Sequence, residues 1–304
     1  MTKTFAVLVT YNPDIEKLQA AINSILHQVD QLVVVDNGSG NIDMFDLAAE
    51  NSVLEKLPDN MGIAYAQNVG IKFSIKHHAD YVFLMDQDSI FAPDTVKTLL
   101  HHHQQLVTDG VSVGAIACAY RDTNSHQLNF IWRDTGSKVE RLATDTSQRI
   151  EPVDFAISSG SLFHVPVFSA VGLMDSSLFI DLVDIEWGLR ARSRGYSNFQ
   201  VNECAMAHTI GDEKIKILGR SISVHTPIRD YYLIRNSVLL AKRKNMNPRW
   251  RKHLFVRSFL FFVIFSVFLN ERKKKTVSDD MRVQGWCMQS CWPVVWPIER
   301  ADNV

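Results

Sequence analysis

Asp86-Gln87-Asp88 ends an apolar run, Tyr81-Val82-Phe83-Leu84-Met85, so two carboxylates leave the buried end of a strand almost together. Carboxylates at i and i+2 of an extended segment point the same way. Oxygen donors so placed suit a hard divalent cation, Mg²⁺ or Mn²⁺, with coordination positions left for a diphosphate. Asp36 ends another apolar run, Leu32-Val33-Val34-Val35, and is followed by Gly38, where the backbone turns. A carboxylate there can accept a hydrogen bond from a nucleobase imide or a ribose. The segment Asn60-Met61-Gly62-Ile63-Ala64-Tyr65-Ala66-Gln67-Asn68-Val69-Gly70 has small residues at 62, 64, 66 and 70. Small residues let a helix approach a sheet or a nucleotide closely, and a helix start near Gly62 suits a phosphate or ribose. A second carboxylate cluster, Asp181, Asp184 and Glu186, lies just before Trp187.

These residues need elements to hold them, and the pattern supplies an alternation. Strands are expected at Phe5–Tyr11, Leu32–Asn37, Val53–Leu57, Tyr81–Met85 and Val113–Ala119, with helices at Ile15–His27, Ile63–Lys76 and Thr95–Leu106. Near-continuous apolar strands imply burial on both faces, hence a mostly parallel sheet between helices. In such folds ligands lie beyond the carboxyl ends of the strands, where Thr10-Tyr11-Asn12, Asp36 and Asp86-Gln87-Asp88 all fall. Arg121 to Arg149 is polar and irregular and reads as an inserted loop or hairpin. Further on come a helix near Val165–Val171, another over Ile185–Ser193, and a last strand, Phe199–Ala207, ending at His208. Helical periods at Arg229–Lys244 and Arg249–Asn270 form an appendage. The runs His77-His78 and His101-His102-His103 are expected on solvated helix faces, because neighbouring helical residues diverge by about 100°.

A G-x-x-x-x-G-K-[ST] loop is absent, and Thr10-Tyr11-Asn12-Pro13 stands where a dinucleotide fold would carry G-x-G-x-x-G, so P-loop and dehydrogenase readings weaken. The 304 residues carry a formal charge of −1, yet Lys242 to Lys275 has eleven Lys or Arg and one acid, Glu271. That segment is +10, leaving −11 elsewhere. Within it, ten of the eleven residues of Phe259–Leu269 are apolar. As a helix this run would reach about 16 Å, against about 30 Å of bilayer hydrocarbon. Flanked by basic residues, it suits the surface of an anionic membrane and does not suit nucleic acid, whose grooves call for bases interleaved with aromatics. Cys118, Cys204, Cys287 and Cys291 show no disulfide framework, which fits a cytoplasmic location, and the N-terminal run is too short for a signal peptide.

Val9-Thr10-Tyr11-Asn12-Pro13, Val35-Asp36-Asn37-Gly38-Ser39, the Asn60–Gly70 segment, Asp86-Gln87-Asp88 and Asp184-x-Glu186 follow in the order and spacing of glycosyltransferase family 2. The chain resembles that family over roughly residues 5 to 236, and its later motifs, including His225-x-Pro227-x-Arg229 and Arg235-Asn236, are most similar to bacterial rhamnosyltransferases of O-antigen assembly. The resemblance implies a GT-A fold: a Rossmann-like, mostly parallel α/β sheet with helices on both faces. Residues 1–236 would be the catalytic domain and 237–304 a C-terminal membrane-associating region. It implies an inverting, metal-dependent transfer of L-rhamnose from dTDP-rhamnose to a lipid-linked saccharide, at the cytoplasmic face of the inner membrane. Thr10, Tyr11 and Asp36 would hold the nucleoside and Asn68 would frame the sugar nucleotide. Asp88, Asp86 and His208 would face the metal and diphosphate, and Asp184 would be the base, with Asp181 and Glu186 as alternatives because Val183 replaces the first acid of the family's pair. Ser158-Ser159-Gly160-Ser161 resembles the acceptor-side loop, while Trp187 would stack on an acceptor sugar or serve as core. A UDP-sugar donor, or a silent binding partner of the same fold, are the alternatives.

Overall fold

The computed structural model describes residues 2–45, 47, 49–122, 128–208, 213–217, 220–224 and 227–268. Four parallel strands form its first half: β1 (Thr4–Thr10), β2 (Gln31–Asp36), β3 (Ser52–Lys56) and β4 (Tyr81–Asp86). Register decides where the polar ends fall. Thr10 pairs with Asp36 and Val9 with Asp86, so β2, β1 and β4 finish flush on one edge.

The sheet continues through β5 (Val113–Asp122), β8 (Ile150–Val153), β9 (Ser161–His164) and β10 (Ser197–His208), in the order β3-β2-β1-β4-β9-β5-β10-β8. β9 runs antiparallel between β4 and β5, and β8 caps the far edge antiparallel to β10. Side chains alternate across β1. Phe5, Val7 and Val9 enter one core, and Ala6 and Leu8 the other. The second core is covered by α1 (Ile15–Ile25) and α3 (Thr95–Thr108). The first is covered by α2 (Ile63–Lys76), α4 (Pro166–Val171), α5 (Val183–Ser193), α6 (Pro227–Lys242) and α7 (Pro248–Phe268). Gly70 lets α2 lie against β1, since a Cβ there would meet Val7 Cγ1 at 2.2 Å.

Of the loop or hairpin expected over 121–149, the structure has the hairpin, β6 (Phe130–Asp134) and β7 (Val139–Ala143), and a second hairpin that was not expected, β11 (Glu213–Ile217) with β12 (Arg220–Val224), follows β10. Their short, polar strands lack the apolar runs by which strands are recognised. His102 and His103 are buried: the Tyr81 hydroxyl and His103 Nδ1 lie 3.1 Å apart, and His102 Nε2 is 2.7 Å from Glu203. Burial pushes the His103 pKa down to about 4, so its ring is neutral core. Residue 236 lies inside α6, and the start of α7 packs into the first hydrophobic core. Trp250 and Leu254 are fully buried, the Trp250 indole donates to Asp154, and Arg249 pairs with Asp134 at 2.6 Å. The helix expected over 249–270 is present as α7, but it has no polar face, since its outward side is also apolar: Phe255, Val256, Phe259, Leu260 and Val263 are exposed. Among the described residues no helix is long and apolar enough to cross a membrane. The tryptophans beyond 285, Cys287, Cys291 and the basic run at 272–275 lie outside the described residues.

Candidate active site

The turn after β4 is braced from three sides. Gln87 Oε1 accepts from the Thr10 hydroxyl and the Tyr11 N–H, both at 2.8 Å. The Asp86 N–H donates to Ser159 Oγ at 3.0 Å, and Ser89 and Ser159 hydroxyls lie 2.8 Å apart. Ile90 exchanges backbone bonds with Ala207, the residue before His208, so the end of β10 lies beside this turn. Gln87 and Ser89 thus point inward to the braces, and Asp86 and Asp88 stand partly exposed at the sheet edge. Asp88 makes no side-chain hydrogen bond or ion pair with a described residue. The backbone of His208 is within the described residues; its side chain is not.

The Thr10 hydroxyl is buried and donates to Gln87, so it helps hold the turn. The Tyr11 ring, in contrast, is exposed at the edge. Asp36 is 2% exposed and accepts from both the N–H and the hydroxyl of Ser39, which fixes the turn after β2. Asn37 and Asn60 tie that turn to the start of α2: Asn37 donates to Asn60 at 2.9 Å and accepts from the Met61 N–H. The Asn68 amide donates to the Met174 carbonyl and Ser176 hydroxyl and accepts from the Met174 N–H, so it anchors the loop before residue 179.

That loop carries unusual backbone. Phe179, Asp181 and Leu182 all have φ near +62°, a region that L-residues enter at a cost of about 1–3 kcal/mol each. The cost is met by neighbours. The Asn236 amide, fully buried, donates to the carbonyls of Leu178, Ile180 and Asp181 at 2.8, 2.8 and 3.0 Å. Arg229 reaches the Asp181 carboxylate at 3.2 Å, and the Ile63 N–H donates to the Phe179 carbonyl at 2.7 Å. Gly62 makes this last contact possible, because a Cβ there would lie 2.6 Å from that same carbonyl oxygen.

Held by this loop, Asp184 sits in the first turn of α5, where its carboxylate accepts the Ile185 N–H at 2.8 Å. Burial pushes its pKa up to about 6, and the charges of Asp181 and Asp86 push the same way. The two acidic clusters therefore share one field. Glu186 is excluded as a base: it is 3% exposed and clamped by Arg190 and Arg243, each at 2.8 Å. Asp181 is engaged by Arg229. Trp187 cannot stack on a sugar, being 2% exposed, packed on Phe163 and Phe168, with its indole donating to the Gly172 carbonyl. Arg192 pairs with the buried Asp154.

Asp184 and Asp181 open into a cavity of about 410 Å³. Its wall comes from β5, the β6–β7 hairpin, the 153–157 segment, α6 and α7, through residues such as Trp132, Phe155, Arg229 and Arg257. A family model described as "Glycosyl transferase family 2" matches residues 5–171. The dTDP-rhamnosyl transferase RfbF of Shigella flexneri is 34% identical over 278 residues, 90% of each chain. The chain belongs to glycosyltransferase family 2. Galactofuranosyltransferase GlfT1 of Mycobacterium tuberculosis is 27% identical over 226 residues, covering 70% of this glycosyltransferase and 72% of GlfT1. GalNAc-T7 solved with UDP, GalNAc and Mn²⁺ superposes with a TM-score of 0.56 at 12% identity, over 88% of this chain and 58% of that one. Residues 1–349 of S. aureus TarS with UDP-GlcNAc give 0.54 at 12% identity, over 92% and 80%. These two share the fold.

The glycosyltransferase offers oxygen donors at the β4 edge. Among the described residues no three His, Cys, Asp or Glu side chains converge as a closed metal site. Two edge carboxylates with Asp88 uncommitted nonetheless fit a cation that draws its remaining ligands from phosphate and water, the usual manner of Mg²⁺. Sequence reasoning missed Gln87, Ser159 and Asn236 as braces of this glycosyltransferase's site. Arg235-Asn236 and Ser158-Ser159 stood out as motifs, but spacing alone does not say which carbonyl or amide a side chain will meet.

Proposed function

We propose that this glycosyltransferase moves L-rhamnose from dTDP-rhamnose, with inversion, to a lipid-linked saccharide in the assembly of a cell-surface polysaccharide of the O-antigen kind. The 34% identity to a dTDP-rhamnosyl transferase over 90% of the chain supports the donor. One observation carries the mechanism: Asp184, with its pKa raised to about 6, lines a cavity and lies near enough to Asp86 of the strand edge to feel its charge. A carboxylate near that pKa is ionised at neutral pH and basic enough to take a proton as the acceptor hydroxyl attacks the sugar's anomeric carbon. Tyr11 and Asp36 receive the nucleoside beyond the ends of β1 and β2. Mg²⁺ or Mn²⁺ held by Asp88, with Asp86 and His208, would neutralise charge on the departing diphosphate. Gln87, Thr10 and Ser159 keep the two carboxylates at the edge. The exposed apolar face of α7 supports peripheral attachment to the cytoplasmic leaflet of the inner membrane.

The deciding experiment supplies radiolabelled dTDP-rhamnose, UDP-sugars and membrane-extracted acceptor lipid to the purified chain, with Mg²⁺, Mn²⁺ or chelator. Transfer from dTDP-rhamnose that requires metal and Asp88 is expected. Transfer from a UDP-sugar instead would replace the donor, and activity indifferent to chelator would remove the metal.

A further inference from the structure

The cavity beside Asp184 holds a charge that the transfer step does not use. Its lining has three guanidiniums, Arg141, Arg229 and Arg257, against two carboxylates, Asp181 and Asp184. Arg229 is committed to Asp181, and exposed Arg141 lies 3.9 Å over the Phe130 ring. Arg257 is different. It comes from α7, is partly buried, and makes no hydrogen bond or ion pair with a described residue, its ring contact being Phe261 at 5.5 Å. Burial weighs against its charge, while Asp181 and Asp184 favour it from across the cavity. A guanidinium keeps its charge and its five donors under all ordinary conditions, so a partly buried one with no partner among the described residues gains when an acceptor arrives.

We propose that Arg257 binds a phosphate ester carried by the acceptor substrate, seating the acceptor so that its hydroxyl reaches Asp184. The inference rests on Asp184 being the base. The formal charge of the lining, +1, favours an anion over a neutral sugar. Guanidinium donors match two phosphate oxygens at once, which a neutral hydroxyl cannot do. The donor's own diphosphate has its place at the Asp86–Asp88 edge, so this charge answers to a second phosphate. Location agrees with chemistry. Phe255, Val256, Phe259 and Leu260, exposed beside Arg257 on the same helix, offer apolar contact to the chain that such an ester would carry.

Binding of two soluble probes separates the possibilities, using the full chain with its donor site saturated by dTDP and Mg²⁺. Geranyl diphosphate carries the anion and geranyl β-glucoside carries the sugar without it. Arg257→Gln is expected to weaken geranyl diphosphate at least tenfold and geranyl glucoside less than twofold, with Arg257→Lys between, and dTDP binding unaltered. Equal weakening of both probes, or no diphosphate binding by the unaltered chain, overturns the proposal. So does an Arg257→Gln effect confined to phosphatidylglycerol vesicles, which would make the phosphate a membrane headgroup. Failure of the rhamnosyl reading shows separately, as transfer from another nucleotide sugar with the Arg257 effect intact.

Discussion

Asp184→Asn should cripple transfer and stabilise the fold in the same stroke. The substitution is nearly isosteric and keeps an oxygen for the Ile185 N–H. What it removes is a buried negative charge facing two others, Asp181 and Asp86. A carboxylate whose folded pKa is raised binds its proton more tightly in the folded state than in the unfolded chain. Stability therefore falls as pH climbs from the ordinary 3.8 to about 6, and the cost is fully present above that. At about 1.4 kcal/mol per unit the rise bounds the cost at about 3 kcal/mol, and partial solvent access brings the expectation to about 2 kcal/mol. For a chain of this size that is a melting temperature higher by about 3 °C. Calorimetry at pH 7.5 should show the gain, and at pH 4.5 the gap between variant and parent should shrink. Loss of the base should lower kcat about 10²–10⁴-fold. In the parent, kcat/KM should fall tenfold per unit below pH about 6. A variant that melts earlier at pH 7.5, or a parent rate flat from pH 5 to 8, would refute the assignment of Asp184 as a strained, ionised base.

Asn236→Leu strips three carbonyls of their donor at once, so a destabilisation of about 2–4 kcal/mol is expected in urea melts, with kcat reduced through displacement of Asp184. Unchanged kcat in a folded variant would mean the strained loop does not position the base. Asp88→Asn should lose metal-dependent turnover while leaving the melting temperature within about 1 °C, because Asp88 has no described partner to abandon. Gln87→Ala should raise KM for the donor and lower stability by about 1–2 kcal/mol, since Thr10 loses its acceptor. Phe255→Glu with Phe259→Glu should leave dTDP binding intact and abolish sedimentation with phosphatidylglycerol vesicles; unchanged sedimentation would take α7 off the membrane.

The sheet was legible because its strands are buried on both sides. Leu32-Val33-Val34-Val35 has no other comfortable place, and helix α2 lies where its small residues put it, Ile63 to Lys76. The flush edge followed, since Thr10, Asp36 and Asp86 each end an apolar run. What stayed hidden were side-chain destinations. Thr10 and Asn68 are polar residues in the right region, yet their hydrogen bonds turn inward to Gln87 and Met174. Trp187 follows the acidic pair directly, but its ring packs on Phe163 and Phe168 in the core while Asp184 faces the cavity. Glu186 looked equivalent to Asp184 until Arg243, distant in sequence, closed on it. The wall of the cavity was hidden for a related reason: Trp132, Phe155 and Arg257 converge through tertiary contacts that no local period records.

Helix α7 serves three masters, giving Trp250 to the core, Arg257 to the cavity and Phe259 to the outside. Because one rigid rod does all three, the height of the catalytic chamber above any surface that grips its outer stripe is preset. That height is about one helix diameter, 10 Å. Shortening the chain before residue 248 would not simply detach an anchor; it would take away a wall of the reaction chamber.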